Sequence, residues 1–163
     1  MDTPPGQSIA IDLPDPGATR EFASGMVDVL EPGTVVYLKG TLGTGKTTFV
    51  RMFMEAAGYR GRIRSPTYTL VEVYPGVAHF DLYRLSDPEE LEWLGGRDYF
   101  GGDTLCFIEW PEKGTGYLPP ADLIFDLEVR GTGRRLVMTA CTGRGHRILQ
   151  KMKRGSSISR PPF

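Results

Sequence analysis

The sequence predicts an α/β fold: one domain with a mainly parallel central sheet, flanked by helices and extended by antiparallel hairpins. Three observations lead there. Over the first 58 residues the apolar pattern switches in the order strand, helix, strand, helix, the alternation that builds parallel sheets. A glycine-rich turn, Gly40-Thr-Leu-Gly43-Thr-Gly45-Lys46-Thr47, fits GxxxxGK[ST] in full and sits between the second strand and the second helix. Two later apolar runs each end in a carboxylate, Asp81 and Glu109, as strands do that finish at the ligand-binding edge of an open sheet.

The elements follow in order. Residues 8–13, Ser-Ile-Ala-Ile-Asp-Leu, alternate as a short strand. Asp15-Pro16-Gly17 opens a helix with the apolar stripe Phe22, Met26, Val27 and Leu30, and Glu31-Pro32-Gly33 stops it. Residues 34–38 have the β-branched and aromatic content of a buried strand. After Lys46, the residues Phe49, Val50, Phe53, Met54 and Ala57 recur at helical spacing up to a C-cap glycine, Gly58. In the next segment Arg60, Arg62 and Arg64 fall on one side of an extended chain. A charge-guarded edge strand is the better account of it, and a contact for phosphate, RNA or a partner is the other.

Residues 68–74 and 77–81 flank Pro75-Gly76 and predict a hairpin. Ser86, with Glu89 three positions on, predicts the N-cap of a short helix. Residues 105–108 form a continuous apolar strand ending at Glu109, and a Gly- and Pro-punctuated loop covers 112–120. Residues 123–129 and 135–140 predict a second hairpin with one wet face. A last helix over 146–153 buries Ile148, Leu149 and Met152. The domain is expected over residues 1–154, with 155–163 as a disordered tail.

The glycine-rich turn carries the chemistry. Its glycines let the backbone bend and come close to oxygen atoms, so the N–H groups of Leu42, Gly43, Thr44, Gly45, Lys46 and Thr47 turn toward phosphates. The positive end of the following helix reinforces them. Lys46 is expected to reach the β- and γ-phosphates, and the Thr47 hydroxyl to bind Mg²⁺. The chain therefore reads as a single P-loop NTPase-like domain with a nucleoside triphosphate site.

Such a loop needs an acid for the Mg²⁺ shell and a group that orients or deprotonates water. Asp81 and Glu109 are the candidates, since both emerge beside the loop if their strands run parallel to residues 34–38. Simpler accounts are an Asp81–Arg84 ion pair and a turn role for Glu109 before Trp110-Pro111. Thr67 is a candidate hydroxyl for the γ-phosphate side. Trp110 either packs on nucleotide or partner, or fills core.

Composition narrows the classes. With 163 residues, 40% of them hydrophobic, the chain builds a core without staples. Cys106 and Cys141 show no CxxC spacing and read as small buried thiols, and His79 and His146 stand isolated, so no disulfide framework or zinc site is expected. No apolar run reaches 18 residues and the N-terminus lacks signal-peptide regions, so a cytoplasmic protein without membrane contact is expected. The net charge of −1 conceals +8 over residues 131–163 against −9 over residues 1–130. The basic end either favours RNA or an acidic protein surface, or is a solvated helix and tail.

Several segments together resemble one family, the bacterial TsaE (YjeE) P-loop ATPases of tRNA threonylcarbamoyladenosine biosynthesis. The segments are Leu13-Pro14-Asp15, the loop from Gly40 to Thr48, Ser65-Pro66-Thr67-Tyr68-Thr69-Leu70-Val71, His79-Phe80-Asp81-Leu82-Tyr83-Arg84-Leu85, Asp87-Pro88-Glu89-Glu90-Leu91-Glu92, Asp98-Tyr99-Phe100 and Ile108-Glu109-Trp110-Pro111. The resemblance implies ATP with Mg²⁺, weak hydrolysis by the protein alone, and action with two partners, the transferase subunit TsaD and its companion TsaB. That complex places threonylcarbamoyl on the adenosine beside the anticodon of tRNAs reading ANN codons, and the ATPase's implied part is resetting it between turnovers.

By the same resemblance Thr47 and Glu109 hold Mg²⁺, Asp81 acts near the γ-phosphate, Trp110 matters for activity, and Leu13-Pro14-Asp15 lies near adenine. Contact with tRNA would come through the complex. The loop here begins Gly-Thr-Leu where the family commonly has Gly-Asp-Leu, and the Pro75-Gly76 turn is shorter than in many relatives. Two rival functions are a small-molecule P-loop kinase and a non-catalytic ATP-gated adaptor. A kinase wants an arginine-bearing lid after the hairpin, whereas Arg60, Arg62 and Arg64 precede it. No NKxD segment is present to read guanine.

Overall fold

Alternation along the strands sorts the side chains onto two faces, and each face finds its own cover. The computed structural model describes residues 7–159, with side chains described as far as Gly155. The elements run β1 (Gln7–Leu13), α1 (Pro16–Val29), β2 (Val35–Lys39), α2 (Lys46–Ala56), β3 (Val71–Tyr74), β4 (Val77–Asp81), α3 (Glu90–Trp93), β5 (Leu105–Glu109), β6 (Leu123–Arg130), β7 (Gly133–Ala140) and α4 (Gly143–Ser159). All seven strands form one sheet in the order β1-β7-β6-β2-β5-β4-β3. The central strands β6, β2, β5 and β4 are parallel, and β7, β1 and β3 extend them antiparallel on both sides. This is the mixed α/β architecture expected, with a mostly parallel centre and hairpin extensions.

On one face Val36, Leu38, Phe107 and Phe125 meet α1, α2 and α4 through Met26, Phe49, Phe53, Ile148 and Leu149. Phe49 stands at the middle, its ring 5.8 Å from Phe107 and 5.5 Å from Phe125, both edge-on. On the other face Val35, Ala78, Phe80, Cys106 and Ile108 pack with Leu82, Leu85 and Leu91 around α3.

The two long helices beside the loop start differently. Asp15 caps α1 by accepting the Ala18 N–H at 2.8 Å, and Pro16 occupies the first helical turn. Helix α2 starts from Gly45 at φ 103° with no side-chain cap. No side chain therefore takes up its first N–H groups.

Several local expectations change. Residues 59–64 form no strand. Tyr59 and Ile63 turn into the core, the Tyr59 and Tyr74 rings meet at 5.1 Å, and the Arg64 N–H donates to the Tyr74 hydroxyl, so a side chain replaces the ladder. The edge strand is β3, which begins only at Val71. A turn closed by the Leu70 N–H on the Pro66 carbonyl, with Leu70 at φ 70°, occupies the residues before it.

Ser86 does not cap α3, whose N-cap is Glu89 with no side-chain hydrogen bond. In the turn before the helix Asp87 accepts the Glu89 N–H, and Glu90 accepts the N–H groups of both Ser86 and Asp87. Cys106 is buried but Cys141 is exposed. Helix α4 starts three residues earlier than expected and its bounds extend through residue 159; residues 160–163 of the expected tail lie outside the described residues. Among the described residues no helix is long and apolar enough to cross a membrane.

Candidate functional site

The C-terminal ends of β2, β4 and β5 converge where α2 begins, and the chemistry-bearing residues collect there. Asp81 and Glu109, the last residues of β4 and β5, are register partners, and Glu109 also pairs with Leu38 of β2. Both acids are nearly sealed from solvent, at 6% and 3% exposure. The loop's Gly43 and Gly45 adopt φ 82° and 103°, a backbone a side chain would strain.

Leu42, Gly43, Thr44, Gly45, Lys46, Thr47 and Thr48 line one open cleft of about 440 Å³ together with Thr67, Asp81, Glu109 and Trp110. The loop, Thr67, the two strand-end acids and Trp110 thus face one cleft, whereas Leu13, Asp15, Arg60, Arg62 and Arg64 do not line it. Tyr83, Arg84 and Arg134 complete its wall.

Lys46 is buried and donates to the Gly40 carbonyl of its own loop, with its ammonium 3.9 Å from the centre of the Trp110 ring. Burial pushes the Lys46 ammonium below the ordinary lysine value, against the opposing pull of Glu109 and Asp81. Trp110 itself sits at φ 57°, a strained backbone for a non-glycine residue. Tyr83 packs on it at 5.0 Å. Trp110 is therefore part of the cleft wall and half-buried.

The Thr47 hydroxyl donates to Glu109 Oε2 at 2.8 Å, and His79 Nε2 lies 2.6 Å from the same oxygen. Asp81 does not pair with Arg84. It accepts the Tyr83 N–H on Oδ1 at 3.1 Å and the Thr67 hydroxyl on Oδ2 at 3.4 Å, while Arg84 stacks over Tyr68. Burial raises the Asp81 carboxyl above its ordinary value; the Tyr83 N–H opposes this, and the neighbouring Glu109 charge adds to it.

Among the described residues no group of three His, Cys, Asp or Glu is placed to hold a metal. A magnesium ion carried by a nucleotide takes most of its shell from phosphates and water, with one or two protein ligands. The Thr47 hydroxyl oxygen and the Glu109 carboxylate fit that smaller demand.

A second pocket of about 150 Å³ adjoins the loop, lined by Leu13, Asp15, Pro16, Thr48, Leu127 and Arg134 among others. Arg134 stands between the two. Its Nε donates to the Thr44 carbonyl at 3.0 Å and its Nη2 to the Gly43 carbonyl at 3.2 Å. Sequence reasoning passed over both His79 and Arg134. His79 stands two residues before Asp81 on a strand, hence on the same face, which was the available signal. Arg134 had none, because its partners lie 90 and 91 residues away in the chain.

Four basic residues of the C-terminal end have partners within the molecule, and Arg147 and Lys151 among them stay exposed. Arg147 and Lys151 pair with Glu31 at 3.0 and 3.6 Å, Arg144 donates to the Gly33 carbonyl at 2.6 Å, and Arg134 holds the loop.

Comparison with known proteins identifies the family and the fold. The family described as "Threonylcarbamoyl adenosine biosynthesis protein TsaE" matches residues 13–137. The chain is 42% identical over 152 residues to the tRNA threonylcarbamoyladenosine biosynthesis protein TsaE of Haemophilus influenzae, covering 88% of this chain and 96% of that protein. It is 34% identical over 150 residues to the protein of the same name from Bacillus subtilis, covering 89% and 94%. The crystal structure of Bacillus subtilis YdiB superposes with a TM-score of 0.79 at 26% identity, covering 94% of this chain and 99% of that one. The loop, the two strand-end acids and the flanking segments all lie within the matched residues, and the chain belongs to the TsaE family.

Proposed function

We propose that this protein is a Mg²⁺-dependent ATPase that binds and slowly hydrolyses ATP to support turnover of the complex that adds threonylcarbamoyl to the adenosine beside the anticodon of ANN-decoding tRNAs. TsaD and TsaB are its partners, and tRNA is met through that complex. Family membership supports the pathway. The observation that carries the ATPase reading is the Thr47–Glu109 hydrogen bond in front of an uncapped helix start.

Bound Mg-ATP supplies a phosphoanhydride whose charge the metal neutralises. The chain does the rest. Backbone N–H groups from Leu42 to Thr47 receive the phosphate oxygens, and Lys46 exchanges the Gly40 carbonyl for them. Thr47 donates a hydrogen bond to Glu109, which would leave its oxygen lone pairs for the cation. Asp81, beside the Thr67 hydroxyl, orients water at the γ-phosphate, and its raised pKa brings a carboxylate closer to useful basicity. The smaller pocket at Leu13 and Asp15 takes the adenine, with Arg134 between base and phosphates. Trp110 and Tyr83 pack together in the cleft wall.

The test is a reconstituted tRNA-modification reaction with Lys46→Ala and Glu109→Gln. Both variants are expected to fold and to leave modification at background over multiple turnovers. Normal modification by both would overturn the proposal. ATP turnover measured with and without the partners separates hydrolysis from ATP-gated binding alone.

A further inference from the structure

We infer that His79 is a positioning residue that fixes the Glu109 carboxylate for the metal; the inference rests on the Mg-ATPase reading above. His79 lies on β4 beside Phe107 of β5, on the face that carries Asp81 and Glu109, and its side chain is 1% exposed. The other inward residues of that face, Val77, Leu105 and Phe107, are apolar members of the core. An imidazole buried there is costly unless it is hydrogen-bonded, and its bond runs to Glu109. An aliphatic residue would fill the same place without that demand, so packing alone gives no reason for a histidine.

The bond also has a direction. An ionised carboxylate only accepts, so Nε2 carries the hydrogen and donates. It donates to Oε2, the oxygen that already takes the Thr47 hydroxyl, and Oε1 takes neither bond. Two donors from two elements, β4 and α2, therefore lock one oxygen of a side chain with three rotatable bonds. The other oxygen is left for the cation or for a water in its shell. Outer partners of this kind orient a ligand before the metal arrives, so less ordering remains to be done on binding.

The experiment measures Mg²⁺ affinity by calorimetry at a fixed concentration of a non-hydrolysable ATP analogue, and analogue affinity in EDTA. His79→Ala is expected to weaken Mg²⁺ binding by about 10–100-fold while leaving Mg-free analogue affinity in place. His79→Gln, whose amide nitrogen takes the position of Nε2, is expected to recover most of the loss. In a Glu109→Ala background, His79→Ala is expected to add nothing. If His79→Ala does not fold, His79→Leu fills the space without a donor and carries the same expectation.

Wild-type Mg²⁺ affinity in these variants overturns the inference. So does a loss that is equal in EDTA, or one that persists undiminished in the Glu109→Ala background, because either marks a packing role. Wild-type protein without any Mg²⁺-linked analogue binding overturns the ATPase reading itself, and the inference with it.

Discussion

The two ends of the parallel strands both bury carboxylates, and they treat them in opposite ways. At the N-terminal end, Asp122 accepts the Val35 N–H at 2.8 Å and the Thr142 hydroxyl at 2.6 Å, with Arg144 3.7 Å away. Glu31, close by, holds Arg147 and Lys151. Every negative charge there has a cation or a backbone donor, and the result ties the start of β2 to the turn between β7 and α4. At the C-terminal end, Asp81 and Glu109 are adjacent, are met by hydroxyls, one N–H and an imidazole, and among the described residues pair with no lysine or arginine within 4 Å. Among the described residues the one buried lysine or arginine, Lys46, is spent on a carbonyl. Charges saturated by the fold hold the fold, and charges left short of counter-ions are available to a ligand.

The sharpest way to break this contrast is to remove one acid from each end. Asp122→Ala orphans the Val35 N–H and the Thr142 hydroxyl. It is expected to cost about 2–4 kcal/mol, or roughly 5–15 °C in Tm. Glu109→Gln keeps its shape and relieves crowding with Asp81, so its Tm should match or exceed that of the parent. Thermal melts of the two variants decide. A larger loss for Glu109→Gln than for Asp122→Ala would mean that both ends are structural.

Gly145→Ala probes the same N-terminal tie with less force. A Cβ at Gly145 would fall on the Asp122 carbonyl oxygen. That backbone cannot yield without moving the Cys141 N–H that donates to it at 2.9 Å. Overpacking of this kind costs about 1–3 kcal/mol. An unchanged melting temperature would show that the junction between β7 and α4 is slack.

The same contrast explains what could be read from the sequence. The loop and the two acids were legible because each signal is local: a motif within eight residues, and apolar runs that end in a charge. Parallel pairing of β4 and β5 then followed from the fold class. The neutralising contacts were illegible because they join distant segments: Arg144 to Gly33 and Arg147 to Glu31 span 111 and 116 residues. Read locally, the basic end showed none of these pairings. His79 looked isolated for the same reason, since its partner Glu109 belongs to another strand. The Arg60–Arg64 stretch misled in the opposite direction: alternation there suggested a strand, and the tyrosine at each end of the contact decided otherwise.

Glu31 gives a smaller, pH-marked effect. The Arg147 hydrogen bond, helped by the charges of Lys151 and Arg144, holds its carboxyl below the ordinary 4.5. A depressed folded pKa stabilises fully above the ordinary value, and that contribution disappears as pH falls through the lowered one. Glu31→Gln should therefore cost about 0.5–1 kcal/mol at neutral pH, less at high salt, and nothing at the acid end. Melts of both proteins at neutral pH and at pH near 3 check it, and a pH-independent difference would remove the ion cluster from the explanation.

Asp81→Asn should run the other way, by the smallest margin. Its carboxyl is raised by burial first, so the ionised form is less favourable in the fold than in the unfolded chain. At low pH both states hold the proton and the carboxyl behaves as a neutral group. Above the raised pKa the ionised fold bears the penalty, and an asparagine escapes it while still accepting the Tyr83 N–H. The variant should melt higher than the parent at neutral pH, and the advantage should shrink as pH falls through the raised value toward the ordinary aspartate range. ATP turnover with the partners should fall in the same variant, since a neutral amide orients water without accepting its proton. Stability gained and turnover lost from one oxygen-to-nitrogen change would place Asp81 on the opposite side of the contrast from Glu31. A loss of stability at neutral pH would put it with Asp122, as a brace between β4 and the Thr67 turn.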